Sequence, residues 1–346
     1  MTLPLYDQAK ESINRFMEDS MNLGLYYQKF CNSWKRKGSG IELDKQAFLT
    51  HIVNKSTGSN AYDNDLLRER IDRQAVLAKA LDGEARIYQL QERFITGIGL
   101  DHPLEIGFLW DHIMGLPYIA GSSIKGLVRS WAEDWLGEKE KVNGIFGTDS
   151  SDQDHEMGSV LFFDALPFGR VNLKMDIMTP HYTPYYSENQ IPGDWYNPTP
   201  IPFLTVDKGQ RFIFFAAPKP GFDKKDFTKA LGWLDEVLTT LGAGAKTTAG
   251  YGGFEIVQDI TDSYNRELKQ RLEERKRQQV LANMSPIRQE MEADGYSVDP
   301  MVFMENLTVK WLQRLTEEDT LAQKEIAQLL ANWYKTNRPK DWKRPK

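Results

Sequence analysis

Between two apolar segments late in the chain lies Leu241–Gly253, LGAGAKTTAGYGG. It holds five glycines in thirteen residues, one lysine, two threonines and no acid. Upstream, Asp223–Leu241 has helical spacing, with Phe227, Ala230, Leu231, Leu234, Val237, Leu238 and Leu241 on one face. Downstream, Phe254–Val257 is apolar and β-prone and reads as a short strand. The glycines therefore occupy a helix-to-strand turn, where the backbone takes positive φ or passes very close to something else. With Lys246, Thr247 and Thr248 in the middle, a phosphate chain fits as that neighbour. A nucleotide-binding P-loop does not fit. It requires G-x-x-x-x-G-K-[ST] between a strand and the following helix. Here Ala245 precedes the lysine, Thr240 replaces the first glycine, and the order of elements is reversed. A helix C-cap accounts for Gly242 but not for the other four glycines.

Charge and composition narrow the function classes. The chain has 346 residues, enough for one large domain or two smaller ones, and a net charge of −6. That balance argues against bulk electrostatic attachment to nucleic acid while leaving room for a local basic surface. Cys31 is the single cysteine, which excludes an internal disulfide and a cysteine-built zinc site and fits a reducing compartment. The opening MTLPLYDQAKES has no basic region followed by an apolar run, so no signal peptide is expected. No stretch approaches the ~18 apolar residues of a membrane span. The expectation is a cytoplasmic chain without membrane contact. His51, His102, His112, His155 and His181 are scattered, without the short spacings of a metal site. Neither metal nor cofactor is expected.

Taken in order, residues 1–86 read as helical, with scattered spacing over Tyr6–Tyr27 and a clearer helix over Asp63–Leu81. Lys35–Gly40 between them reads as a basic, solvated turn. Ala85–Ile95 reads as a strand running into a second glycine turn, Thr96–Leu100 (TGIGL). In Leu116–Leu136, Ser122 or Ser123 is the expected N-cap. Ile124, Leu127, Val128, Trp131, Trp135 and Leu136 form its apolar face. Lys125 stands in the first turn and Arg129 one turn later on the same side. A lysine beside free backbone N–H groups suits an anion site. Gly158–Ala165 and Gln210–Ala217 are strong strands. The stretch between them is aromatic and proline-rich, and reads as an ordered excursion from the sheet. Beyond the glycine loop come a charged helix over Asn265–Leu281, amphipathic helices over Val298–Leu315 and Leu321–Tyr334, and a basic tail.

The core order of strand, helix, strand, excursion, strand, helix, glycine loop and strand is the βαββαβ order of ferredoxin-like domains, shared with RNA-recognition domains. Here the chain resembles the RAMP proteins of CRISPR systems. It looks most like the RAMP subunit that ends the backbone filament of type III-B (Cmr) effector complexes. The resemblance rests on Gly115–Arg129 (GLPYIAGSSIKGLVR), Phe163–Pro167 (FDALP), Asp176–Tyr186 (DIMTPHYTPYY), Pro200–Val206 (PIPFLTV) and Gly242–Gly252 (GAGAKTTAGYG). It covers roughly residues 87–258. It implies an α+β, ferredoxin-like (RRM-like) RAMP core over 87–259 with a thumb inserted at about 169–206. A helical extension, 1–86, would precede the core, and another, 260–346, would follow it.

The resemblance implies a non-catalytic subunit of an RNA-guided complex acting against invading RNA. It would hold the guide RNA and guide–target duplex near the guide 3′ end. Its neighbours would be other RAMP backbone subunits and a small helical subunit. The expected RNA contacts are Ser122, Ser123, Lys125 and Arg129 on the helix, and Gly242, Gly244, Lys246, Thr247, Thr248, Gly250 and Gly252 in the loop. His181, Tyr182 and Tyr185 would stack on or wedge beside bases from the thumb. Two alternatives stand beside this reading. One is an endoribonuclease using Asp111, which precedes the Gly-Ser-Ser-x-Lys-Gly helix and adjoins His112. The other is a structural scaffold whose glycine loop packs on a neighbour.

Overall fold

The apolar run Phe212–Ala217 lies within a strand, Arg211–Pro218, that is buried on both faces from Phe212 onward. Such a run has no solvent-facing side to keep polar, so it needs no alternation. The computed structural model describes residues 22–38, 40–57, 64–148, 157–180, 191, 195, 197–198, 200–317 and 320–339. These divide into two compact units, one ending at Arg266 and one beginning at Glu267.

Among the described residues the first unit opens with α1 (Leu23–Lys29), the hairpin β1 (Trp34–Lys37) and β2 (Gly40–Leu43), α2 (Lys45–Ser56) and α3 (Asn64–Ala80). Then follow β3 (Glu84–Leu90), α4 (Gly121–Ser130) with a π turn over Trp131–Trp135, and α5 (Lys139–Phe146). The short strands β4 (Val160–Phe162) and β5 (Leu166–Pro167) precede a second hairpin, β6 (Leu173–Met178) and β7 (Ile201–Val206). Strand β8 (Arg211–Pro218), helix α6 (Lys224–Thr240), strand β9 (Phe254–Ile256) and the first residues, up to Arg266, of helix α7 (Gln258–Ala282) complete the series. The main sheet is antiparallel, with order β4-β8-β3-β9 and β5 also on β8.

Side chains alternate across β8. Phe212 and Phe214 meet Phe254 edge-on, and Phe214 meets Tyr88. Phe215 turns to the other face, against Tyr264 at the start of α7. The Tyr88 hydroxyl donates to Asp235 on α6, which fixes that helix over the sheet. Strand β9 is too short to pair all of β3, and α7 completes the edge. Ile87 N–H donates to Thr261 Oγ1 at 3.0 Å, and Asn265 exchanges hydrogen bonds with Ala85. These bonds satisfy backbone groups that would otherwise be buried unpaired.

Two local expectations change. The Lys35–Gly40 segment is a hairpin, not a turn. Its cations are exposed, as expected, with Lys37 paired to Glu42 (2.7 Å) and Lys35 to Asp44. Helix α4 starts at Gly121 after Ala120, so neither Ser122 nor Ser123 is its N-cap. Asp164 Oδ1 instead accepts from Gly121 N–H at 2.8 Å. A cap supplied from 43 residues away has no local signature.

In the second unit, α8 (Pro286–Ala293) and α9 (Pro300–Asn306) each begin with proline after a capping Ser285 or Asp299. A π turn over Leu307–Trp311 leads into α10 (Leu312–Glu317), and α11 (Thr320–Asn337) follows. Met291, Phe303, Leu307, Trp311, Ile326, Leu330 and Trp333 form its core. Trp311 Nε1 donates to Asp294 at 2.9 Å. No helix among the described residues is long and apolar enough to cross a membrane. Trp311→Ala should lower this unit's stability by about 3–5 kcal/mol. Calorimetry should show a transition moved to lower temperature, and unchanged melting would contradict the packing.

Candidate nucleic-acid interface

Three segments separated in sequence converge on one groove of about 570 Å³. They are the Thr96–Leu100 turn, the start of α4 with Ser123 and Ile124, and the Ala243–Ala245 limb of the glycine loop.

Most of the glycines answer to the protein's own backbone. A Cβ on Gly252 would collide with the Ala243 carbonyl, and one on Gly242 with the Gly252 carbonyl. A Cβ on Gly244 would strike the Ile95 carbonyl and the Phe94 ring. Hydrogen bonds seal the crossing: Ala243 N–H to Gly252 O (2.9 Å), Ala245 N–H to Ile95 O (2.9 Å) and Gly252 N–H to Arg93 O (2.8 Å). Nothing lies within 4 Å of a Cβ placed on Gly250, whose φ of 90° serves the turn.

What the loop presents outward is its centre. Lys246 is left-handed at φ 58°, followed by a 3-10 turn over Thr247–Ala249. A left-handed residue next to a right-handed turn aims successive N–H groups into one concavity suited to anions. The N–H groups of Lys246, Thr247 and Thr248 have no hydrogen-bond partner among the described residues. Lys246 and Thr248 are exposed and Thr247 is half-buried.

On α4, Ser122 and Ser123 are exposed and Lys125 is half-buried without an ion-pair partner among the described residues. The helix start is less open than its sequence suggests. Asp164 takes the Gly121 N–H, and Ser123 N–H bonds to Ala120 O at 2.9 Å, which leaves the Ser122 N–H. Arg129 is engaged internally, with Nε to Glu133 at 2.8 Å and Nη1 to the Gly147 carbonyl at 3.3 Å. Asp111 caps its own turn, its Oδ1 accepting from Ile113 N–H (2.9 Å) and Met114 N–H (2.8 Å). His181, Tyr182 and Tyr185 lie outside the described residues.

One cluster was not anticipated. Asp176, on β6 at the base of the excursion, pairs with Arg93 (2.7 Å) and accepts from the Tyr251 hydroxyl (2.9 Å) in the glycine loop. Burial works to raise its carboxyl pKa. The Ile177 N–H, Arg93 and Tyr251 outweigh burial and hold the carboxyl below the ordinary carboxylate value. Beside it, Ile95, Ile106 and Phe203 form a small buried cluster against Ala245 and Tyr251. The excursion hairpin and the groove therefore share a foundation. Among the described residues, no group of three His, Cys, Asp or Glu is placed to hold a metal ion.

The model of the RAMP superfamily matches residues 48–255, and the chain belongs to that superfamily. A Pyrococcus furiosus protein described as CRISPR system Cmr subunit Cmr6 is 30% identical over 230 residues, 48% of this chain and 65% of that protein. The chain therefore spans just under two thirds of that relative. A Saccharolobus solfataricus protein described as CRISPR system CMR subunit Cmr6 is 28% identical over 264 residues, covering 74% of this chain and 88% of that protein. A chain in a cryo-EM structure of the type III-B Cmr-beta bound to cognate target RNA is 26% identical, with a TM-score of 0.46. The match covers 71% of this chain and 86% of that one.

Asp176→Asn should cost about 1–2 kcal/mol through the lost charge-assisted bonds. Because the folded carboxyl titrates low, its contribution is full above the ordinary carboxylate range and fades as pH falls below about 4. The variant's stability should therefore be less dependent on pH there than that of the natural chain. Parallel acid-unfolding curves would contradict this.

Proposed function

We propose that this chain is a non-catalytic RNA-binding subunit of a type III-B (Cmr) CRISPR effector complex. It holds the guide RNA and guide–target duplex near the guide 3′ end, at the end of the backbone filament, in the cytoplasm. The observation that carries the RNA-binding reading is the row of N–H groups without partners among the described residues at Lys246–Thr248, with an exposed lysine, directly after Ala245, which lines the groove. Lys125 adds a second cation from α4. Backbone N–H groups and point charges contact phosphate without reading sequence, as a subunit serving many guides requires. The kinship with the RAMP superfamily and the two Cmr6 relatives supports the complex. The order β4-β8-β3-β9, with α4 and α6 as crossovers, supports a ferredoxin-like core with the β6–β7 hairpin as the base of a thumb. The neighbours in this reading are other RAMP subunits and a small helical subunit.

Asp111 is not assigned catalysis, because one carboxylate oxygen already organises the turn it stands in. Self-packing of Gly242, Gly244 and Gly252 would serve a pure scaffold equally well, but a scaffold has no use for the open N–H groups that follow them.

Lys125→Glu combined with Lys246→Glu should abolish guide retention in the purified complex. The natural chain's RNA affinity should fall steeply with salt, as counterion release demands. Unchanged RNA content in the double variant would refute the assignment.

A further inference from the structure

A second cavity of about 390 Å³ adjoins the groove, and Leu100, 44% exposed, lines both. Its walls come from α1 (Leu25, Gln28, Lys29), from Asp101–Pro103 and from His112. We infer that this cavity is a nucleobase subsite, taking one base of the RNA strand whose backbone lies in the neighbouring groove. The inference rests on the groove being an RNA site.

The walls are mutually fixed. Asn22, the N-cap of α1, donates from Nδ2 to the carbonyls of His112 (3.0 Å) and Ile113 (2.9 Å). The Tyr27 hydroxyl donates to Ile106 O at 2.9 Å, which ties α1 to the loop after Pro103. The size sits near the lower end of the ~300–1,000 Å³ typical of small-molecule sites, suited to a base and not a larger ligand.

His102 sets the chemistry. Its Nδ1 accepts from Leu104 N–H at 3.2 Å, so its Nε2 carries the proton and donates to Tyr27 O at 2.8 Å. Burial pushes its pKa down, which keeps the ring uncharged at neutral pH. One face stacks on Tyr27, with ring centres 4.2 Å apart. With both nitrogens and one face engaged, the ring offers the cavity only its other face or carbon edge. The free face is an uncharged stacking surface, which binds bases with little regard to sequence. Leu25, Leu100 and Pro103 add apolar walls. Asp101 disfavours phosphate inside the cavity but can accept from a base amino group, and Gln28 can pair with either kind of base-edge atom. Lys29 and His112 are exposed at the cavity. Lys29 has no ion-pair partner among the described residues, so it is available to a phosphate.

The test uses the full chain and a single-stranded RNA of about 10 nucleotides carrying photoreactive bases, with crosslinked residues read by mass spectrometry. Crosslinks should appear at Leu25–Lys29 and Leu100–Pro103 as well as in the groove. Lys29→Glu with His112→Ala, both exposed, should remove the former, leave the groove crosslinks and weaken binding about fivefold or more, the low end for one stacked base. Groove crosslinks alone, with unchanged affinity in the double variant, would overturn the subsite and leave the groove standing. A natural chain that binds no RNA even at low salt would overturn both.

Discussion

Two limbs of one loop cross so closely at Gly242 and Gly252 that neither position has space for a methyl group. That contact fixes much of what surrounds it. The crossing holds the loop shut at its base and is bonded to Arg93 and Ile95, just past the end of β3. With its base closed, the loop can extend Lys246 in a left-handed conformation that an unsupported lysine would seldom adopt. The strain at that residue is tolerated because the bonds on either side determine its place.

The same region gathers the other partners of the site. Asp176 joins the excursion hairpin to Arg93 and Tyr251, and Phe203 packs beneath them. Gly97, at φ 69°, lies against Leu109 and sets the second wall of the groove. On the third side, Asp164 locks the start of α4. The groove is thus built from backbone approach and braced by half-buried carboxylates, while the exposed Lys246 follows directly after the lining residue Ala245. A chain of net negative charge can in this way present an exposed lysine beside open N–H groups.

Much of this was legible in sequence. The helical spacing after Asp223 gave α6, and the long apolar run gave β8. The glycine loop, the TGIGL turn and the Gly-Ser-Ser helix stood out one by one, and the fold brings them together. What stayed hidden was pairing at a distance. Arg93 and Asp176 are 83 residues apart, and Asp164 caps a helix that seemed to carry its own serine caps. The Lys35–Gly40 run read as solvated, and its lysines and arginine are exposed, but its hairpin depends on the pairing of Trp34–Lys37 with Gly40–Leu43. Arg129 shared a face with Lys125 in sequence, but Glu133 one turn further on engages it. His102 looked like one of five scattered histidines, since its stacking on Tyr27 joins segments 75 residues apart.

Amide hydrogen exchange on the full chain, with and without single-stranded RNA, tests whether the three walls of the groove hold one RNA strand together. Residues 96–100, 121–124 and 244–248 should gain protection together, while the already buried strands β3 and β8 change little. Protection confined to other surfaces, or none at any of the three segments with RNA bound, would contradict it.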